Sequence, residues 1–336
     1  MHMPNEVLSP AVAGGFIAAS AAGLGLAAAG ARRSFQESQV PLMGVMGAFV
    51  FAAQMVNFQI LGATSGHLGG GVLLAILLGP HAAALVMAAI LTVQCLIFND
   101  GGLLALGCNA FNMGLVAPYF GYGLYRLILG RAEGQKSAGR LYLASFTGAL
   151  VGVAASAAVV PVQIALSGMS AVPFGTFFPL MVGIHLLIGA VEGAITFAVV
   201  AYLAQVRPEV LGVQVAGRAR LSRRAVVGSF AVLALLIAGL LSLVASGLPD
   251  GLDFLIEGRK FSRHAENEEA VDPTMAKVSA WQERTAPLPD YRAGEDSPAY
   301  WTSIAGLLGT LATLGVVYGI AAAVRRRDAQ GHAHTH

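Results

Sequence analysis

Two histidines in this 336-residue chain, His2 and His67, have the means to hold a metal ion. An α-amine, the amide nitrogen of residue 2 and Nδ1 of a histidine at residue 2 close a five-membered and a six-membered chelate ring on one ion. Met1 and His2 together therefore supply three nitrogen ligands. A fourth nitrogen from His67 completes a plane, the tetragonal geometry that suits Ni(II) or Cu(II), whereas zinc prefers a tetrahedron. By spacing alone the pair is a weak signal: His2 also reads as a solvated terminal residue, and His67 as a loop histidine bonded to backbone.

Other polar residues are candidates for supporting such a site. The hydroxyls of Thr64 and Ser65 flank His67 and could fix its ring tautomer, with plain turn chemistry as the alternative. Gln94 and Asn99, with Asn109 and Asn112, lie at or near helix ends, where polar groups face the bundle. They serve there as outer support for the ion or as interhelical hydrogen bonds. Glu192 is the one acidic residue well inside a span, and His185, seven residues earlier, shares its helix face, so a buried structural pair is expected. His81 reads as interfacial, and His332, His334 and His336 as a disordered tail. Cys95 and Cys108 both lie in apolar stretches and support neither a disulfide framework nor a zinc site.

The elements that must position these residues are membrane spans. Apolar residues make up 56% of the chain and charged residues 11%, against roughly 25% charged in a soluble domain, which excludes a soluble enzyme. On the ruler of about 20 apolar residues per span, charge-poor windows fall at 9–31, 40–62, 68–79, 80–98, 103–129, 140–166, 175–204, 224–247 and 299–324. Gly79-Pro80 breaks the third from the fourth. The third is therefore a short helix preceded by a loop that dips into the membrane, where irregular backbone must be buried in protein or line a cavity. The first span is nearly all Gly, Ala and Ser, which suits close packing in the bundle centre.

Sorting the charges gives an orientation. Fourteen of the 20 Lys and Arg fall in loops on one side; the other six lie in 248–298, which carries 11 of the 18 acidic residues. By the positive-inside rule the N-terminus is outside and the C-terminus cytoplasmic. The first segment has no Lys or Arg before its apolar run, so it reads as a retained span and not a signal peptide.

The segments Gln54-Met55-Val56-Asn57-Phe58, Gly62-Ala63-Thr64-Ser65-Gly66-His67-Leu68-Gly69-Gly70 and Leu77-Leu78-Gly79-Pro80 resemble the signature of the CbiM/NikM family. So do the opening Met1-His2-Met3-Pro4, Asp100-Gly101-Gly102, Asn109-Ala110-Phe111-Asn112-Met113-Gly114 and the run from His185 to Glu192. After Pro4, Asn5-Glu6 stands where the family has Asp-Gly. Members are the substrate-binding (S) components of energy-coupling factor (ECF) transporters for nickel or cobalt. The resemblance implies a seven-helix bundle with the N-terminus threaded into it and the ion held by the Met1 amine, the His2 amide and ring, and the His67 ring. Leu248-Pro249-Asp250-Gly251-Leu252 resembles the motif of the family's small N partner, here fused.

The expected protein is thus an all-α polytopic membrane protein: a metal-binding seven-helix core over 1–206, a cytoplasmic linker over 207–223, and a two-helix unit over 224–325. The last carries the extracytoplasmic loop 248–298 and is followed by the tail 326–336. The expected setting is a bacterial inner membrane. The fused form points to nickel; the alternative is cobalt uptake for cobalamin biosynthesis. The ion is substrate and not cofactor, and no nucleic-acid partner is expected. No Walker A pattern occurs, so ATP hydrolysis falls to other subunits; the resemblance implies two ATPase subunits and a transmembrane coupling (T) subunit. No His-Glu-x-x-His helix supports an intramembrane protease, and the single helix break does not support a secondary transporter of two related halves.

Overall fold

Where the apolar runs are interrupted decides where the elements end. The computed structural model describes residues 2–34, 39–60, 64–130, 137–169, 173–211, 221–252, 254–255, 271–294 and 296–333. Met1, 212–220 of the linker and the last three residues of the tail lie outside the described residues. The elements are α1 (Pro10–Ser34), α2 (Val40–Gln54), β1 (Phe58–Ile60), β2 (Thr64–Gly66), α3 (Gly71–Leu78), α4 (Pro80–Phe98) and α5 (Leu106–Asn109). A π-helical stretch (Ala110–Val116) leads into α6 (Ala117–Leu129), followed by α7 (Ala138–Leu166), α8 (Phe174–Val206), α9 (Arg223–Gly239), α10 (Pro273–Thr285) and α11 (Tyr300–Ala333).

Six helical stretches among the described residues are long and apolar enough to cross a membrane: α1, α4, α7, α8, α9 with the turn after it, and α11. The protein is an all-α polytopic membrane protein. The break between α3 and α4 falls at Gly79, whose φ of 82° favours glycine, with Pro80 at the first helical position. Tight pairing follows from small residues: a Cβ on Gly189 of α8 would stand 3.0 Å from the Leu150 backbone of α7. The C-terminal helices pack on α2, where Phe49 meets Phe230 of α9 edge-on and Gly44 and Gly47 face Tyr318 and Val317 of α11.

Two expectations about the spans are corrected. The second span does not run helically to residue 62 but ends at Gln54, about 22 Å of helix. The Gln54 amide donates to the Gly69 carbonyl at 2.7 Å, which stops the helix against the chain's return through the β1–β2 hairpin, where Phe58 pairs with Gly66. Helix α1 is not at the bundle centre. Its Ser20 hydroxyl donates to the Gly107 carbonyl at 2.6 Å, but Ala11, Gly14, Gly15, Ala18, Ala22 and Gly25 are exposed. Small side chains allow close approach on any face; here the described residues use one face and leave the other open.

Candidate metal centre

The N-terminal segment is inserted into the protein and held there through its backbone. Met3 is fully buried; its amide donates to Asn109 Oδ1 at 2.8 Å, and its carbonyl accepts from Asn109 Nδ2 at 3.2 Å and the Gly102 amide at 2.9 Å. One asparagine side chain thus pairs with a residue's donor and acceptor as a neighbouring strand would. Asn5, 1% exposed, accepts from the amides of Leu104 (2.8 Å) and Ala105 (3.2 Å). Position 102 must be glycine for this, because a Cβ there would collide with Asn5.

That anchoring sets His2 against His67. The two imidazoles stack with centroids 5.1 Å apart and planes 11° from parallel. His67 reaches this position on the loop between β2 and α3, which is pinned from two sides. Gln54 takes the Gly69 carbonyl, and the Glu192 carboxylate accepts from the amides of Gly69 (2.6 Å) and Gly70 (3.0 Å). His67 Nδ1 lies 3.0 Å from the Leu68 carbonyl. A carbonyl only accepts, so Nδ1 carries the proton and the lone pair sits on Nε2. Burial, then neighbouring positive charge including that of His2, lowers the His67 pKa to about 3, so the ring is neutral near pH 7, the state in which imidazole binds a metal.

His2 Nδ1 lies 3.1 Å from Asp100 Oδ1, and Asp100 Oδ2 accepts from the Tyr291 hydroxyl at 2.5 Å. Burial alone would raise the Asp100 pKa; the charge and hydrogen bond of His2, with the bond from Tyr291, outweigh it and hold the carboxyl well below the usual carboxylate range. His2, His67, Asp100 and Tyr291, with Asn5 and Gln282, line a cavity of about 690 Å³. Among the described residues no group of three or more His, Cys, Asp or Glu side chains has the arrangement to hold a metal ion.

Of the residues singled out in the sequence, the structure brings His2 and His67 together, while Met1 lies outside the described residues. Thr64 and Ser65 take a different role from the expected one. Their hydroxyls donate to the carbonyls of Pro249 (3.0 Å) and Leu248 (2.7 Å), tying the hairpin to the second unit, and the Leu68 carbonyl sets the His67 tautomer. Gln94 donates to Gln54 at 2.9 Å and so supports the His67 loop at one remove. Asn99 lines the cavity and ends α4 with a φ of 56°. Glu192 and His185 do not form the expected pair: Glu192 holds the Gly69 and Gly70 amides, and His185 Nδ1 bonds the Met181 carbonyl at 2.8 Å. The site also takes in Asn5, Asp100, Gln282 and Tyr291, which no metal-ligand spacing marks; Asp100 lies inside the Asp100-Gly101-Gly102 motif, whereas Gln282 carries no local signal.

A family model described as the cobalt uptake substrate-specific transmembrane region matches residues 2–210. The chain belongs to the CbiM family. A second model, the PDGLE domain, matches residues 224–326. A protein of Archaeoglobus fulgidus that carries the name of a fused nickel transport protein is 35% identical over 95% of this chain and 98% of its own length. The fused nickel transport protein of Rhodobacter capsulatus is 29% identical over 97% and 99%. A crystal structure of a transition metal transporter, 37% identical, covers 60% of this chain and 92% of its own, with a TM-score of 0.54. As a CbiM-family member with metal-transporting relatives, the chain is a membrane component of metal transport.

Proposed function

We propose that this chain captures Ni(II) at the outer face of the cytoplasmic membrane in a plane of four nitrogens. These are the Met1 amine, the His2 amide and Nδ1, and His67 Nε2. The ion, as substrate, is then delivered inward under the drive of separate coupling and ATPase subunits. The stacked His2–His67 pair carries this proposal. Its centroids are 5.1 Å apart, so a modest rotation of His2 lets both rings reach one ion, each nitrogen about 2 Å from it. The rotation breaks the Nδ1–H bond to Asp100; Nδ1 and the His2 amide each give up a proton as they take the ion, so binding releases protons to solvent.

The fused relatives named for nickel support that ion; the family's description favours the second reading, Co(II). The distribution of basic residues among the loops supports an N-terminus on the outer side. The open small-residue face of α1 suits close packing against a helix of a coupling subunit. The test is nickel binding by the full-length protein. His2→Ala and His67→Ala should each lower affinity at least about a hundredfold, about 2.7 kcal/mol; affinities within twofold of the parent would refute the site.

A further inference from the structure

The second unit reaches the candidate ion site through Gln282, a side chain that the chelate itself does not use. Gln282 lies on α10, is 3% exposed, and has both ends of its amide engaged. Its Oε1 accepts from the Leu103 amide at 2.7 Å and from Asn5 Nδ2 at 3.3 Å. Its Nε2 donates to the carbonyls of Gly101 (2.8 Å) and Cys95 (3.1 Å). One turn back on the same helix, the Ser279 hydroxyl accepts from Asn5 Nδ2 at 3.0 Å.

These partners lie on three separate pieces of the first unit: the end of α4, the 99–105 loop and the N-terminal segment. Gly101, Leu103 and Asn5 each border or anchor a group that places His2. Gly101 follows Asp100, which bonds the His2 ring; Leu103 follows Gly102, whose amide holds Met3; Asn5 anchors the turn that begins three residues after His2. A primary amide offers two donors and two acceptor lone pairs, and this one spends them joining those three pieces.

We propose that Gln282 is a positioning residue for the ion site: from the second unit, it locks the N-terminal segment to the 99–105 loop so that His2 is presented to His67. This rests on the four-nitrogen site proposed above. A chelate tolerates misplacement of only about 0.5 Å, so a loosened clamp degrades the site before it degrades the fold.

The test uses the full-length chain with Gln282→Met, which keeps the length and bulk of the side chain and removes both polar ends, and with the isostere Gln282→Glu, which keeps the acceptor. Three readouts apply: nickel affinity, the visible absorption of bound nickel, and amide hydrogen exchange without metal. The expected results for Gln282→Met are at least about tenfold weaker nickel binding, loss of the planar-nickel band, and faster exchange confined to residues 2–8 and 99–105. Gln282→Glu should fall between it and the parent. Parent-like affinity and spectrum, or faster exchange that spreads through α7 and α8, would overturn the proposal. If Gln282→Met does not fold, Gln282→Glu decides by the same criteria. His2→Ala separates the two claims: if it abolishes binding while neither Gln282 variant alters it, only the positioning role fails. If His2→Ala binds like the parent, the ion-site proposal falls and this one with it.

Discussion

Asp100 is the residue on which the metal-free site turns, because its carboxylate holds the ring of a proposed ligand on one oxygen and Tyr291 on the other. Its pKa is lowered in the folded protein, so it contributes stability above the ordinary aspartate value of about 3.9. That contribution is lost as pH falls through the folded value. Asp100→Asn should therefore lower thermal stability by about 2 kcal/mol at pH 5 to 7, the range for hydrogen bonds to a charged group. The gap from the parent should narrow below about pH 4. Melting curves across pH check this; a gap that does not change with pH would show that the charge is not what matters.

At the scale of elements, the site depends on short and irregular segments more than on the long helices. The loop from His67 to Gly70, the 99–105 loop and the inserted N-terminal segment are each pinned by amides and carboxylates from helices, Gln54, Glu192, Asn109 and Gln282, and the hairpin is pinned by the Pro249 and Leu248 carbonyls. These residues explain how much was legible in advance. His2 and His67 were readable because chelate chemistry is local to a few atoms, and the α3–α4 break because Gly79-Pro80 is a local signal. The end of α2 was not, since Gln54 stops the helix through a partner 15 residues away. The clamp from Gln282 was not, since its bond to Leu103 joins residues 179 apart. Thr64 and Ser65 are neighbours of His67 in the sequence, but sequence proximity does not say which way a hydroxyl points, and theirs turn to Pro249 and Leu248.

Helix α1 gives the same lesson from the other side. A run of Gly and Ala permits close packing without saying on which face or against what, and the described residues leave one face of it open. If that face packs against a coupling helix in the assembled transporter, a large side chain there should separate capture from transport. Ala22→Trp should leave nickel affinity within about twofold while reducing uptake at least about tenfold in cells or vesicles carrying all subunits, 1.4 kcal/mol or more. Uptake equal to the parent's would remove α1 from the coupling interface.

For the whole molecule, the two matched units are not side by side by accident of fusion. The carbonyls of Leu248 and Pro249 accept from Ser65 and Thr64, the Leu288 amide donates to Ile97, and Tyr291 stacks on Phe98 at 4.5 Å while bonding Asp100. The second unit therefore builds part of the cavity wall above both histidines. Low charge in the membrane and a ligand set of amine, amide and imidazoles fit one another, since such a site holds a divalent cation without burying an unpaired carboxylate. The most direct test of that ligand set is X-ray absorption spectroscopy of nickel bound to the full-length protein. Four nitrogen neighbours in a planar arrangement, with the pre-edge feature of square-planar nickel, are the predicted result. A six-coordinate shell of oxygen and nitrogen would contradict it.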